Sequence, residues 1–253
     1  MLARLGNKRK IAAKIMPHFP KHELYIEPFF GGGGMFFSKP LAMYNIMNDL
    51  DSDVYNLYNI LKIRKDDFIN EFRQTPCHND LFQYWIKNVE TDDIMRAVRF
   101  VYLSNYSFLG SKTALRFGFY NTKKEVIKQT NDIFNMIENV QFNNCDFERF
   151  LNSIHFTSGD DDRKRVFIYC DPPYVNTTTT YDAFKKEDAI RLFDCLERSG
   201  CRFAYSEFDN DFILDQANKR KLNVIEIGER RNLGNRRTEI LITNYETQQK
   251  QLF

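Results

Sequence analysis

Residues 24–34 read Leu-Tyr-Ile-Glu-Pro-Phe-Phe-Gly-Gly-Gly-Gly, an apolar run that leads directly into four glycines. The run predicts a buried strand, and the glycines predict a sharp turn before a helical segment. In an open α/β sheet, ligands bind at the carboxyl ends of strands, and glycine lets the backbone approach a ligand without a Cβ clash. Neither the Walker A pattern nor G-x-G-x-x-G is satisfied. The turn therefore favours a ligand held without a phosphate cradle, and a plain tight turn is the alternative.

Further apolar runs on either side extend the same pattern along the chain. Strands are predicted at residues 43–47, 166–170, 202–206, 222–227 and 240–243. An amphipathic pattern predicts a helix over residues 186–199 with Gly200 at its C-terminal cap, and Asp209 is the expected N-cap of a helix that starts near Asp211. Strands that alternate with helices predict an α/β fold with a doubly wound, mostly parallel sheet.

Residues 55–140 break this alternation and favour helices with aromatic residues throughout. We interpret them as an inserted domain within a catalytic domain formed by residues 1–54 and 141–253. No acidic residue occurs from Ile94 to Lys124, where the basic residues are Arg96, Arg99, Lys112, Arg116, Lys123 and Lys124. A second basic group contains Lys219, Arg220, Lys221, Arg230, Arg231, Arg236 and Arg237. Such patches are typical of proteins that bind a polyanion, and solvated helix faces are the alternative.

The composition excludes several other classes of protein. The chain has 253 residues, 43% of them hydrophobic, and a formal net charge of +2. No apolar run is long enough to span a membrane, and no signal-peptide core follows the basic N-terminus, so we expect a cytoplasmic protein. The 5 cysteines lack C-x-x-C spacing and the 4 histidines show no ligand pairing. We therefore expect reduced thiols and no metal site.

Two strand ends carry acidic residues suited to a nucleoside ligand. The strand at 43–47 is followed by Asn48-Asp49, where a carboxylate can accept hydrogen bonds from ribose hydroxyls. Residues 166–174 read Val-Phe-Ile-Tyr-Cys-Asp-Pro-Pro-Tyr, so a buried strand delivers Asp171 to its end. Pro172 and Pro173 fix the backbone, and Tyr174 adds an aromatic face. A carboxylate, a fixed carbonyl and an aromatic ring suit a planar base that bears an NH2 group.

Six motifs in this order resemble the Dam-like, or D12 class, DNA adenine N6-methyltransferases. They are Gly6-Asn7-Lys8, Glu27-Pro-Phe-Phe-Gly-Gly-Gly33, Asn48-Asp49, Asp146-Phe147, Asp171-Pro-Pro-Tyr174, and the closing segment from Asn235 to Tyr245. The resemblance covers nearly the whole chain. It implies a Rossmann-like methyltransferase sheet with a mainly helical target-recognition insertion. It also implies direct methyl transfer from S-adenosylmethionine to adenine N6 in duplex DNA, after base flipping.

The resemblance also assigns residues to the site. The catalytic residues are expected to be Asp171, Pro172 and Tyr174. The cofactor residues are expected to be Arg4, Lys8, Glu27, Phe29, Gly31, Gly33, Asp49, Asp146, Phe147 and Asp171. The expected DNA contacts are Asn105, Tyr106, Lys112, Arg116 and Asn121. Expected partners are duplex DNA and, for a restriction–modification system, a cognate restriction endonuclease.

The chain departs from the family at two places, and other functions stay open. Arg4 stands where family members often have an aromatic residue, and the insertion lacks the Asn-Val-Pro-Phe-Gly-type segment of GATC-specific members. Specificity for GATC is therefore not implied. The alternatives are an N4-cytosine DNA methyltransferase, a catalytically silent DNA-binding regulator, and a methyltransferase acting on RNA or on protein glutamine.

Overall fold

The chain builds a mixed sheet flanked by helices. A computed structural model describes residues 8–107, 114–116, 122–175, 184–232 and 235–247, with backbone only for residues 230–232, 235 and 236. The strands in the described part are β1 (Leu24–Glu27), β2 (Tyr44–Asn48), β3 (Val140–Asn143), β4 (Val166–Cys170), β5 (Arg202–Phe208), β6 (Asn223–Asn232) and β7 (Asn235–Thr243). Their order in the sheet is β3-β2-β1-β4-β5-β7-β6.

Strands β1 to β5 are parallel, and β7 is antiparallel to both β5 and β6. The predicted doubly wound, mostly parallel sheet is thereby confirmed. Chain order reverses between β1 and β4, which are hydrogen-bonded neighbours. In open α/β sheets this switch point leaves a crevice at the carboxyl ends of the strands, where ligands bind.

Helices occupy the segments between the strands. In the described ranges they are α1 (Ala12–Ile15), α2 (Ser52–Ile63), α3 (Lys65–Gln74), α4 (Asn79–Lys87), α5 (Asp93–Tyr106), α6 (Thr122–Ile137), α7 (Phe147–Asn152), α8 (Asp160–Arg163), α9 (Lys186–Ser199) and α10 (Asp211–Lys219). Helix α9 ends, as predicted, at Gly200, which has a φ of 65°. The N-cap of α10 is Asn210, not the expected Asp209. The N–H of Asp209 instead donates to the Thr238 carbonyl, because β5 continues farther along β7 than expected.

Alternate residues along each central strand face two different cores. Tyr25 packs in a cluster with the helices of the insertion, whereas the next residue, Ile26, packs with α7, α9 and α10 on the opposite face. Strand β4 is buried along its whole length, as expected when both faces of a parallel sheet are covered. Helices α2 to α6 share one continuous core with the sheet. Within the described ranges, no helix is both long enough and apolar enough to cross a membrane.

Candidate active site

The glycine turn after β1 lies against the end of β2. The Gly31 N–H donates to Asp49 Oδ2 at 2.6 Å, and the Phe30 N–H donates to the Asn48 carbonyl at 2.9 Å. Asn48 also donates to the Pro28 carbonyl at 3.0 Å. These contacts bring the predicted glycine turn and the predicted ribose acid into one place at the carboxyl edge of the sheet.

Two glycines in this turn have left-handed backbones for different reasons. Gly31 has a φ of +50°, and a Cβ built there would meet nothing within 4 Å in the described part of the chain. Gly33 has a φ of +64°, but a Cβ there would lie 2.4 Å from Phe37 and 2.8 Å from Phe30. Gly33 therefore permits local packing, whereas Gly31 borders open space beside Asp49 that a ligand can use.

Glu27 ends β1 with a buried carboxyl group. It accepts a hydrogen bond from the Tyr25 hydroxyl at 2.6 Å and another from the Phe36 backbone. Burial raises the pKa of Glu27 to about 8, and burial lowers the pKa of nearby Lys39 to about 8. These contacts make Glu27 a residue that holds the turn, and its predicted contact with a cofactor stays a prediction.

Asp146 and Phe147 lie at the end of β3, next to the end of β2. Asn144 links the two strand ends by donating to the Asp49 carbonyl at 2.7 Å. The Phe147 ring centroid lies 5.3 Å from that of Phe29 and 6.1 Å from that of Phe184. Phe29 and Phe147 were predicted as cofactor residues. Phe184, which lies just before α9, was not predicted. Its sequence signal was an aromatic residue close to the start of a predicted helix.

A buried charge cluster surrounds Asp171 at the end of β4. Lys8 Nζ lies 2.5 Å from Asp171 Oδ1 and 3.3 Å from Glu239 Oε1, and it also hydrogen-bonds the Tyr174 hydroxyl. The Tyr174 hydroxyl donates to Glu239 Oε1 at 2.6 Å. Lys8 is 2% exposed and Glu239 is fully buried, so one ammonium group is shared by two carboxylates. Lys8 was expected among the cofactor residues. The structure pairs it with Asp171 and Glu239, because a buried cation needs nearby counter-charges, and its contact with a cofactor stays a prediction.

Tyr174 is buried beside the same cluster. Its side chain is 9% exposed and its ring packs edge-on against Phe208 with centroids 4.4 Å apart. Burial, together with the charges of Asp171 and Glu239, raises the pKa of Tyr174 well above its ordinary value. Its hydroxyl therefore stays protonated and acts as a donor. Pro172 lies in the chain between Asp171 and Tyr174 and is also buried.

Two buried carboxyl groups near Tyr174 were not assigned roles from the sequence. Glu239 lies on β7, and Glu207 lies on the neighbouring strand β5. Glu207 accepts from the backbone N–H groups of Phe208 at 2.9 Å and Val175 at 3.2 Å, and burial raises its pKa to about 8. The available signal was an acidic residue directly next to a predicted apolar run, after residues 202–206 for Glu207 and before residues 240–243 for Glu239. Glu207 thereby holds the segment that follows Tyr174.

The predicted DNA contacts divide into described and undescribed residues. Arg116 is exposed, its N–H donates to the Tyr106 carbonyl at 2.6 Å, and Ser107 pairs with Leu115 in an antiparallel bridge. The Tyr106 ring packs 4.6 Å from Tyr102, and Asn105 donates to the Val101 carbonyl at 2.9 Å. Predicted residues Lys112, Asn121 and Arg4 lie outside the described residues.

Several members of the two basic groups are neutralised within the chain. Arg96 pairs with Asp53 at 2.6 Å, and Arg99 is buried with the same acid 3.9 Å away. Lys219 and Arg220 pair with acids on α10 and α9 at 2.7 Å each. Arg96, Arg99 and Arg220 therefore serve contacts between helices, whereas Lys219 is 64% exposed and pairs within its own helix. The polyanion surface predicted from charge counts is smaller than the sequence indicates.

Comparison with known proteins supports the motif analysis. A family model described as D12 class N6 adenine-specific DNA methyltransferase matches residues 5–233. DNA adenine methylase of Escherichia coli strain K12 is 31% identical over 190 residues, which cover 69% of this chain and 64% of that protein. The match thus spans less than two thirds of that relative's length. DNA adenine methylase of Salmonella typhi is 28% identical, covering 96% of this chain and 79% of that protein.

Two further similarities involve other kinds of methyltransferase. Type II methyltransferase M1.LlaDCHI of Lactococcus lactis subsp. cremoris is 28% identical, covering 95% of this chain and 93% of that protein. Among solved structures, an rRNA methylase from Streptococcus thermophilus has a TM-score of 0.39 and 9% identity over 94% of each chain. At that level of structural similarity, the strand order itself is the stronger indication of the fold.

Proposed function

Because the chain belongs to the D12 class of N6 adenine-specific DNA methyltransferases, we propose that it transfers a methyl group from S-adenosylmethionine to adenine N6 in duplex DNA. The observation that carries the proposal is the Asp171 carboxylate at the carboxyl end of β4. That strand pairs with β1, which leads into the glycine turn. A group that can accept a hydrogen bond from an amine therefore lies at the switch point where this fold binds ligands.

The carboxyl edge of the sheet fits an adenosine-containing methyl donor. Gly31 borders open space, Asp49 lies beside it for ribose hydroxyls, and Asp146 follows the adjacent strand. Phe29 and Phe147 supply aromatic rings for the adenine. When bound, S-adenosylmethionine supplies an activated methyl group on its sulfonium. These residues, not a metal ion, would hold it.

Asp171 and the Pro172 carbonyl are the proposed partners of the target amine. The N6 lone pair is delocalised into the purine ring, and hydrogen bonds to both NH protons favour a more tetrahedral, more nucleophilic nitrogen. Fixed acceptors also stabilise the positive charge that develops on that nitrogen. The ammonium of Lys8 lies 2.5 Å from Asp171 Oδ1 and holds the side chain in place at the end of β4. Glu239 holds Lys8 in place from the other side.

The target base must leave the duplex stack to reach this site, so base flipping is part of the proposal. Stacking of a flipped base on Tyr174 would contribute about 1–3 kcal/mol. Because the ring is 9% exposed, stacking requires local opening beside it. Residues 55–140 are proposed as the inserted target-recognition domain. The name of the Lactococcus relative, a type II methyltransferase, is the reason to propose a cognate restriction endonuclease as a partner.

The test is product analysis with a labelled donor. The protein is incubated with S-adenosylmethionine carrying a deuterated methyl group and with duplex DNA or RNA. The nucleic acid is then digested to nucleosides for mass spectrometry, with Asp171→Ala as the inactive control. Labelled N6-methyldeoxyadenosine from duplex DNA is expected. Labelled N4-methyldeoxycytidine, labelled RNA alone, or donor binding with no labelled product would each overturn the proposal in favour of a named alternative.

A further inference from the structure

One arginine on α9 donates hydrogen bonds to three carboxylates near the end of β3. Arg191 Nη2 donates to Asp146, its Nε donates to Glu148, and its Nη1 donates to Asp188, each at 3.0 Å. Every nitrogen of the planar guanidinium group is therefore used, which fixes the orientation of the side chain. None of the six motifs that resemble the family includes Arg191.

Asp146 is held by one of its two carboxylate oxygens. Oδ1 accepts both from Arg191 and from the Glu148 N–H at 2.9 Å, where it caps α7. Oδ2 makes no hydrogen bond to any residue that the structure describes. Two donors on one oxygen prevent the carboxylate from rotating, so Oδ2 keeps a single direction.

The same guanidinium group also fixes the neighbouring ring. Its central carbon lies 4.9 Å from the centroid of the Phe147 ring, a distance typical of a cation–π contact. Phe147 in turn lies beside Phe29, which follows β1. Arg191 thus orients both the carboxylate and the ring of the Asp146-Phe147 pair.

Stability alone is a weak explanation for this arrangement. Arg191 and Asp146 are 41% and 40% exposed, and exposed ion pairs contribute little to stability because water screens them. Helices α7 and α9 are already joined by a core that includes Phe150, Leu151, Leu192 and Leu196. The guanidinium group therefore fixes the orientation of the side chains around it more than it contributes to the free energy of unfolding.

We propose that Arg191 is a positioning residue for the adenine ring of the methyl donor. It holds Asp146 Oδ2 toward the exocyclic amine and Phe147 against the ring face. The inference rests on the proposed function, in which the Asp146-Phe147 pair lies at the adenosine site of the methyl donor, and it adds that Asp146 accepts a hydrogen bond from the exocyclic amine. The arginine acts through Asp146 and Phe147 and does not itself contact the reacting atoms.

The test uses binding of S-adenosylhomocysteine and of its analogue that lacks the 6-amino group, measured by calorimetry. In Arg191→Met, affinity for S-adenosylhomocysteine should fall about ten-fold, the scale of one hydrogen bond to a charged group. Affinity for the analogue should fall much less, because the lost contact requires the amine. The matched control is Arg198→Met, since Arg198 lies on the same helix and bonds Glu148 at 3.0 Å without a contact to Asp146. That control should retain wild-type preference for the amine.

Each outcome has a distinct meaning. Equal losses for the two ligands in Arg191→Met, or no loss for either, would overturn the positioning role. If that variant fails to fold, Arg191→Lys keeps a positive charge without the planar fork. This second variant should also show a reduced preference for the amine, and an unchanged preference would overturn the proposal. If the wild-type protein binds neither ligand, the proposed function itself fails.

Discussion

At the residue scale, the ammonium of Lys8 joins two carboxyl groups from separate strands, namely Asp171 at the end of β4 and the buried Glu239 on β7. It lies 2.5 Å from Asp171 and 3.3 Å from Glu239. Removing one partner from a buried ion pair typically costs about 3–5 kcal/mol when it leaves the other charge unpaired. Here the loss of either carboxylate leaves Lys8 with the other. The cluster therefore lets the reacting carboxylate be altered without unfolding the site.

The first prediction concerns Asp171→Ala. Methyl transfer should fall about 10²–10³-fold, the usual loss when one preorganised polar partner of a reacting group is removed. Lys8 keeps its contact with Glu239, so the fold should persist. Single-turnover methylation and a thermal melt check the two expectations. Near-normal chemistry in the single-turnover experiment would remove Asp171 from the mechanism.

The second prediction separates the ring of Tyr174 from its hydroxyl. Tyr174→Phe keeps the edge-on packing against Phe208, so most activity should remain. Tyr174→Ala removes a buried ring, which should cost about 3–5 kcal/mol of stability, and it also removes the proposed stacking surface. Activity and melting temperature should be measured for both variants. Equal activity in the two would show that the ring has no role beyond packing.

The third prediction is a pH dependence that arises at Glu27. Burial raises its pKa to about 8, compared with about 4.3 for glutamate in an unfolded chain. The folded state holds the proton more tightly, so the stability from this group is complete below about pH 4.3 and is lost as pH rises through about 8. Each ten-fold difference in acid dissociation constant between the folded and unfolded states is worth about 1.4 kcal/mol in the free energy of unfolding.

Glu27→Gln should therefore reduce the fall in melting temperature between about pH 5 and pH 8. Burial also raises the pKa of Glu207 to about 8, so part of the fall in melting temperature should remain in this variant. The matched control is Glu23→Gln, because the pKa of exposed Glu23 is lowered by its bond to Arg165. Glu23 contributes stability that is lost only as pH falls below its ordinary range, so this variant should keep the wild-type slope. An identical slope in Glu27→Gln would contradict the assignment.

At the element scale, long and regular patterns predicted the fold well. Strand β4 and helix α9 have the bounds that the sequence predicts. Strand β3 was not predicted, because only two of its four residues are apolar. Strands β6 and β7 extend beyond the predicted apolar runs. Apart from Gly228, their extra residues are polar, and most of them pair with each other, although Glu239 also pairs with Phe208 of β5. The polar pattern alone does not indicate a strand.

The site was predictable where chemistry lies in contiguous motifs, and less so where it depends on contacts between distant elements. The pairing of Gly31 with Asp49 follows from parallel strands that end at one edge. By contrast, Arg191 bonds Asp146, which lies 45 positions away in the chain, and Glu239 bonds Tyr174, which lies 65 positions away. An arginine on a helix and a glutamate in a strand carry no local sign of such partners.

The fourth prediction compares two glycines in the turn after β1. Gly33→Ala should destabilise the fold by about 1–3 kcal/mol, because its Cβ would overlap the rings of Phe37 and Phe30. Gly31→Ala meets no atom of the described chain, so it should carry only the cost of a left-handed backbone, about 1–2 kcal/mol. Its methyl group should nevertheless fill the space proposed for the cofactor. Melting temperature and S-adenosylhomocysteine affinity separate the two effects, and wild-type affinity in Gly31→Ala would move the cofactor away from this turn.

At the scale of the whole molecule, the strand order agrees with the predicted fold, and the family match agrees with the predicted enzyme class. The family model spans residues 5–233, which confirms the family and enzyme class predicted from the motifs. The insertion helices cover one face of the sheet and share its core, so they extend the molecule without a separate hydrophobic centre. Any DNA surface on the insertion must come from side chains that this core leaves outside.

Arg116 is such a side chain. It is exposed, and the chain around it doubles back, because Ser107 pairs with Leu115 and the Arg116 N–H donates to the Tyr106 carbonyl. Arg96, by contrast, is already neutralised by Asp53 at 2.6 Å. Of these two arginines, Arg116 is therefore the one that we expect to contact DNA. Whether it binds a base or a phosphate determines where sequence specificity arises.

The fifth prediction is that Arg116 recognises a base. Arginine binds guanine through two hydrogen bonds, which are worth about 1–3 kcal/mol of discrimination. Arg116→Ala should therefore relax the preference at one position of the target site when methylation rates are measured, at fixed salt, on a panel of single-position site variants. Arg96→Met should change neither the preference profile nor the salt dependence, because its charge is already paired within the chain. If Arg116 touches only phosphate, Arg116→Ala should instead weaken binding equally on all sequences and lower the salt slope by about one. That result, an unchanged preference profile with a smaller salt slope, would place sequence recognition elsewhere on the insertion.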